Sequence, residues 1–364
     1  MSLVPDYIKN LSPYKAGKPI SEVQRELGIK NVIKLASNEN PLGPSESVIK
    51  AIQSSLLDIA LYPDPNGFYL RQKLADMFDL DIVNVVLGAG SEGIMATIMR
   101  TFLNSDDHIL ATKNSFIGFK VLANASGRFI DWVPMKKYRY DLSAMANKIN
   151  NNTKIIYLAN PDNPTGSYFN KADFDEFMKK VPNRALVILD EAYFEYAAYQ
   201  DDYPDSMSYR YDNVITLRTF SKAYGLAGLR IGYGFAHENL ISNLMKVKLP
   251  FEPSIPAQAA AIAALDDVGY LNSTLKLNEQ QMVKIEKELN NRKLSFIKSS
   301  ANFITLVFEN EEKAASFAGS FLRQGFILRH LNSFGLPECV RVTLGKDSEM
   351  ELFFNKLDLV LEML

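Results

Sequence analysis

Between about residue 82 and residue 235, short runs of β-branched and aliphatic side chains alternate with longer stretches whose apolar residues recur every three or four positions. The runs are Val85–Leu87, Ile109–Ala111, Phe129–Val133, Lys154–Leu158, Ala185–Leu189, Val214–Leu217 and Ile231–Phe235. Most are continuously apolar, as strands buried on both faces must be, and the segments between them, such as Ile94–Leu103 and Lys171–Lys180, have helical spacing. This βαβ rhythm predicts an α/β fold with a mainly parallel seven-stranded sheet. After Pro256 the texture changes. An alanine-rich run, Ala257–Leu265, leads into a long polar-apolar helix from about Asn272 to Arg292, followed by strand-like pieces at Phe303–Phe308 and Val340–Leu344. The first 30 residues carry prolines at 5, 13 and 19 and little periodicity. The expected division is an N-terminal arm (1–30), a large domain (31–256) and a small α+β domain (257–364).

Composition narrows the function. Of 364 residues, 47% are hydrophobic and 23% charged, enough apolar side chain for a large core. Forty Lys and Arg against 42 Asp and Glu give a net charge of −2, and no five-residue basic block occurs. That pattern points to small molecules as partners rather than nucleic acid or a membrane surface. The single Cys339 cannot form an intrachain disulfide, and His108, His237 and His330 have no zinc-binding spacing, so no metal is expected and a reducing cytoplasm fits. No apolar run approaches the roughly 18 residues of a membrane span, and the first residues lack the pattern of a signal peptide.

In an open α/β sheet ligands bind beyond the carboxyl ends of the strands, so the residues following each predicted strand are the ones to inspect. Leu87 is followed by Gly88-Ala89-Gly90-Ser91-Glu92-Gly93 and a helix, which is either a tight connection or an anion cradle made of free amides and a positive dipole end. It lacks the Walker Lys-Ser/Thr ending and the full dinucleotide fingerprint. Leu158 is followed by Ala159-Asn160-Pro161-Asp162-Asn163-Pro164-Thr165-Gly166. This is a turn by composition, but its two Asn-Pro steps could aim an amide into a site, with Pro164 a candidate for a cis bond. Asp190 ends the strongest apolar run. A carboxylate there needs a cation or several donors, as a structural salt bridge or as a fixed charge under a cationic ring. Ser221-Lys222 follows the next strand, embedded in small and aromatic residues, with Arg230 eight positions on. A partly desolvated lysine has a lowered pKa and becomes an amine nucleophile for carbonyl chemistry. Together these loops supply an amine, a buried carboxylate, an amide with the phenol of Tyr193, and an anion cradle with an arginine. Pyridoxal phosphate requires that set.

The sequence resembles the fold type I pyridoxal-phosphate-dependent aminotransferases, from Ser12-Pro13-Tyr14 to Leu344-Gly345. The most distinctive pieces are Leu35–Pro44 (LASNENPLGP), Tyr62-Pro63-Asp64, Asn160–Gly166 (NPDNPTG), Asp190-Glu191-Ala192-Tyr193 and Thr219-Phe220-Ser221-Lys222. The resemblance implies that Lys222 holds the cofactor covalently, that Asp190 pairs with its ring nitrogen, and that Asn163 and Tyr193 bond its ring oxygen. It further implies that Gly90, Ser91, Thr219, Ser221 and Arg230 hold the phosphate beside Glu92, while Tyr62 reaches across from the partner of a homodimer. Arg341 is implied as the substrate's anion anchor, with Arg329, Tyr14 and Asn40 nearby. Phe116 stands where a tyrosine usually covers the cofactor ring, and Glu92-Gly93, His330 and Phe334 also depart from the common pattern. Within the family the resemblance is to the branch that moves an amino group between histidinol phosphate and 2-oxoglutarate. Aromatic amino-acid transamination and decarboxylation of threonine phosphate are the alternatives.

Overall fold

The computed structural model describes residues 3–11, 13, 17–208 and 211–364. In chain order the strands are β1 Ile33–Lys34, β2 Val85–Gly88, β3 His108–Thr112, β4 Phe129–Val133, β5 Thr153–Ala159, β6 Leu186–Asp190, β7 Val214–Thr219, β8 Gly232–Phe235, β9 Ser295–Ile297, β10 Phe303–Val307, β11 Phe326–Ile327, β12 Arg329–His330 and β13 Cys339–Thr343. The seven predicted strands of the first region form one sheet, ordered β2-β8-β7-β6-β5-β3-β4. β8 runs antiparallel to both neighbours, and every other pairing in that sheet is parallel.

The continuous apolarity of the central strands has a direct structural cause. Along β5, Ile155 and Tyr157 enter one core with Ile94, Ile98 and Phe119, whereas Ile156 and Leu158 enter another with Phe174 and Phe177. β6 divides likewise, Ile188 to the first core and Val187 and Leu189 to the second. Alternate side chains thus leave opposite faces, and both faces are covered by helices.

The second sheet is antiparallel in the order β12-β13-β10-β9. Ile304, Leu306, Val340 and Val342 pack against Phe317, Phe321, Phe353 and Ile285 of the surrounding helices. Strand alternation therefore turns Thr305 and Arg341 to the opposite face. The long helix starts at Val268, four residues before the sequence pattern suggests, because Asp267 accepts a hydrogen bond from the Tyr270 amide and caps it. The N-terminal region also departs from expectation. Ile20–Leu27 is a two-turn helix, with Val23 buried against Ala36 and Ile327. β1 then pairs in parallel with β11, and the following Leu35–Pro44 segment touches the regions of both larger sheets: the Leu35 carbonyl accepts from the Thr343 amide of β13, and Asn40 Nδ2 donates to the Ala223 carbonyl after β7. Among the described residues no helix is long and apolar enough to cross a membrane.

Candidate active site

Four strand ends converge. The register sets Ala159 beside Asp190, Asp190 beside Leu217, Thr219 beside Gly232 and Gly232 beside Gly88, so each loop singled out above leaves the same edge of the sheet. Their side chains line a cavity of about 150 Å³ that holds Gly90, Ser91, Glu92, Phe116, Asn163, Asp190, Tyr193, Thr219, Ser221, Lys222 and Arg230.

At one end is an anion cradle. Gly90 opens a 13-residue helix at φ 75°, and an added Cβ there would lie 2.7 Å from the Arg230 guanidinium. A Cβ on Gly232 would sit 2.5 Å from the Ser91 amide nitrogen, so only glycine at both places lets the turn, the strand and the arginine close together. Arg230 Nη1 donates to Ser221 Oγ (3.4 Å), and Thr219 Oγ1 donates to the same oxygen (3.0 Å). Unpaired helix amides, two hydroxyls and a guanidinium at a positive dipole end make a site for a phosphate dianion.

At the centre is Lys222. Its Nζ donates to the Ser37 carbonyl at 3.3 Å and lies 5.7 Å from the Tyr193 ring centre. Burial, followed by the charge of Arg341, brings its pKa down to about 8, so a usable fraction of free amine exists near neutrality.

At the end of β6, Asp190 is buried in the cavity wall, 5% exposed. Tyr157 donates its phenol hydrogen to Oδ2 at 2.7 Å, whereas Oδ1 is buried without a hydrogen-bond partner. Burial pushes this carboxyl up to about 6, opposed by the Tyr157 hydrogen bond and the Ala192 amide. An orphaned carboxylate oxygen at the end of a central strand is costly unless a ligand donor completes it.

The remaining walls come from further away. Tyr193 accepts a hydrogen bond from Asn38 Nδ2 (2.8 Å), and burial pushes its pKa up to about 12, so it is a neutral donor. Asn163 accepts from Arg341 Nη1, and Arg341 Nη2 donates to the Ala36 carbonyl at 2.7 Å. The cis peptide in the Asn-Pro loop is Asn160-Pro161; the expectation of a cis bond at Pro164 is corrected. That loop is organised by Asp162, which accepts from Ser115 Oγ (2.5 Å), the Thr165 hydroxyl (2.9 Å) and the Thr165 amide (3.2 Å).

Across the antiparallel pair β12–β13, Arg329 faces Arg341. Their guanidinium carbons lie 5.7 and 5.9 Å from the Phe334 ring centre, one phenyl serving both, and Arg329 Nη2 also donates to Ser333 Oγ at 3.3 Å. Two guanidinium groups on paired strands concentrate positive charge on this face of the small sheet, the chemistry that suits carboxylate or phosphate oxygens.

Not every expected residue joins this cluster. Asn40 does not line the cavity; its amide is committed to the Ala223 carbonyl and Thr274 Oγ1, and its oxygen to the Leu42 amide, so it supports the lysine loop. Tyr62 is 78% exposed and stacks on Phe251 at a 4.3 Å centroid distance, away from the cavity of its own chain. Tyr14 lies outside the described residues. Sequence reasoning missed Asn38, Tyr157 and Asp162. For Tyr157 a signal existed: a phenol inside an otherwise aliphatic strand needs a buried acceptor, and Asp190 lies one strand away.

The fold and this constellation, an amine, a carboxylate and an anion cradle at the carboxyl edge of a mainly parallel sheet, define an aminotransferase. Residues 30–357 match the family model for aminotransferase class I and II, and the chain belongs to that family. It is 40% identical over 359 residues to histidinol-phosphate aminotransferase 2 of Carboxydothermus hydrogenoformans, covering 98% of this chain and 99% of the relative. It is 41% identical over 352 residues to histidinol-phosphate aminotransferase 1 of Psychrobacter arcticus, covering 95% and 92%. Among solved structures, histidinol-phosphate aminotransferase from Sinorhizobium meliloti in complex with pyridoxal-5'-phosphate superposes with a TM-score of 0.92 at 29% identity. The match spans 100% of this chain and 98% of that one.

Proposed function

We propose that this chain binds pyridoxal 5'-phosphate in the cavity described and catalyses amino transfer between histidinol phosphate and 2-oxoglutarate, yielding imidazole-acetol phosphate and glutamate for histidine synthesis. The observation that carries the cofactor reading is Asp190 Oδ1, buried and without a partner, in the cavity of a lysine whose pKa is brought down to about 8. A protonated pyridine nitrogen is the donor that oxygen lacks. The cradle of Gly90, Ser91, Thr219, Ser221 and Arg230 is assigned to the phosphate, Tyr193 and Asn163 to the ring oxygen, and Phe116 and Glu92 to the surroundings of the ring; that all of them line one cavity supports the reading.

When bound, the cofactor supplies a covalent link through its aldehyde and an electron sink for breaking the C–H bond beside the substrate amine. The chain's residues do the rest. Asp190 holds a proton on the ring nitrogen. Lys222 Nζ, freed from its covalent role, takes the proton from the substrate carbon and later returns one as general acid. Tyr193 and Asn163 orient the ring, and Arg230 neutralises the phosphate.

For the substrate, the Arg329–Arg341 pair supports the reading. Histidinol phosphate carries a phosphate but no α-carboxylate, whereas glutamate carries two carboxylates, so a fork adaptable to both anions serves both half-reactions. Truncating Arg341 to alanine is expected to weaken both half-reactions by about 1.5 to 3 kcal/mol or more. Arg329→Ala is expected to impair histidinol phosphate more than phenylalanine, read from kcat/KM with each donor.

The functional unit is proposed to be a cytoplasmic homodimer. Leu57, Leu61, Tyr62, Phe68 and Tyr69 are exposed apolar residues close together in sequence, and a partner subunit is proposed to cover them. Tyr62 is assigned to the partner's phosphate. Mixing Lys222→Ala and Tyr62→Phe subunits is expected to restore activity above either parent, because one hybrid site has both native residues. No recovery, with subunit exchange verified, would count against shared sites.

Donor choice tests the substrate assignment. With 2-oxoglutarate as acceptor, kcat/KM for histidinol phosphate is expected to exceed that for phenylalanine by well over tenfold. The reverse order would make the protein an aromatic amino-acid aminotransferase.

A further inference from the structure

Tyr157 lies outside the cavity lining, yet it makes the one side-chain hydrogen bond described to Asp190. The strand register accounts for the contact. Ala159 of β5 pairs with Asp190 of β6, so Tyr157, two residues earlier on the same face of β5, lies diagonally behind the carboxylate. Its ring stacks on Phe119 with centroids 3.9 Å apart and planes 9° apart, and both rings are 1% exposed. A ring held this way cannot swing, and at such burial no solvent replaces its hydroxyl. The phenol therefore occupies Oδ2 and leaves Oδ1, buried and without a hydrogen-bond partner, as the free acceptor of a carboxylate that lines the cavity.

We propose that Tyr157 is a positioning residue for the aminotransfer reaction, fixing which oxygen of Asp190 meets the cofactor nitrogen and keeping that carboxylate ionised. This rests on the cofactor reading above and goes beyond it by naming the group on which Asp190 depends. A charge-assisted hydrogen bond to one oxygen orients the carboxylate plane, and the other oxygen is then presented without rearrangement. The same bond also offsets a burial penalty that would otherwise favour the neutral acid, which cannot hold a proton on the ring. Other ionisable groups around the pair are Glu191 next to Asp190, Lys222 from the loop after β7, and Tyr140 and Asp162 beside Tyr157. Tyr157→Phe alters none of these and keeps the stacking on Phe119.

The test uses the full-length enzyme loaded with pyridoxal phosphate, in four forms: parent, Tyr157→Phe, Asp190→Asn and the double variant. Cofactor affinity is read from visible absorption after dilution, alongside kcat, KM and their pH profiles. In Tyr157→Phe, kcat is expected to fall about ten- to a hundredfold, as for loss of a hydrogen bond to a charged group. The KM for the amino donor should change far less, cofactor affinity should weaken, and the acid limb of the kcat profile should move to higher pH. In the Asp190→Asn background the same substitution should have almost no effect, because the two residues act as one unit. Parent-like kcat, pH profile and cofactor affinity in Tyr157→Phe would overturn the proposal while leaving the cofactor reading intact. So would losses that simply multiply in the double variant. A parent enzyme that shows no lysine-linked cofactor band would instead overturn the reading on which the proposal rests.

Discussion

Lys222→Ala is expected to abolish the visible absorption of the lysine-linked cofactor and to reduce turnover by about 10³-fold or more, combining the loss of the covalent amine with the loss of the proton-transferring group. The fold should survive. Lys222 contributes one long hydrogen bond, to the Ser37 carbonyl at 3.3 Å, and its amine is held near pKa 8 by burial, so removing it also removes a desolvation cost. Absorption spectra, turnover and a thermal melt of the purified variant check all three statements. Turnover near the parent's would mean that another amine carries the chemistry.

Asp190→Asn has the second largest expected effect. The substitution keeps size and shape but removes the charge that favours a protonated ring nitrogen, so cofactor should still bind while turnover drops on the order of 10²- to 10³-fold. A loss below about tenfold, or roughly 1.4 kcal/mol, would reduce Asp190 to a structural carboxylate. Measuring kcat together with bound cofactor by absorbance separates the outcomes.

The large sheet was legible because its strands are buried on both faces, which writes a continuous apolar run into the chain. Thr153–Ala159 and Leu186–Asp190 lie within a residue or two of the runs that predict them. The strand ends carrying Gly90, Asp190 and Lys222 were legible for a related reason: glycine, acid and lysine at the end of an apolar strand are locally unusual. The four loops were then joined by the rule that ligands bind at the carboxyl edge of such a sheet, and the geometry places them around one cavity.

What the sequence concealed is non-local. The pairing of Ile33–Lys34 with Phe326–Ile327 brings together residues almost 300 positions apart, and two residues per strand leave no periodicity to read. That pairing is what carries Asn38 to Tyr193 OH and to Thr343 Oγ1, in a left-handed backbone conformation at φ 56°. The helix Ile20–Leu27 buries a single side chain, Val23, too little for an amphipathic stripe to stand out among prolines. Asp162 hides in a string of turn residues, where its type is expected on composition alone, although in the fold it is fully buried and holds the Asn-Pro loop through Ser115 and Thr165. Arg341 was found through family resemblance; its physical basis, the alternation that turns it away from the apolar partners of Val340 and Val342, needs the register of β13 against β10.

On the proposed reading one amine, Lys222, carries the cofactor in the cavity that Asp190 and Arg230 line. Reducing the loaded enzyme with borohydride, digesting it and mapping the modified peptide by mass spectrometry identifies the lysine that is linked to the cofactor. A single pyridoxyl-phosphate adduct is expected, on the peptide containing Thr219-Phe220-Ser221-Lys222. An adduct on any other lysine, or none on a preparation with visible cofactor absorption, would rule out Lys222 as the carrier.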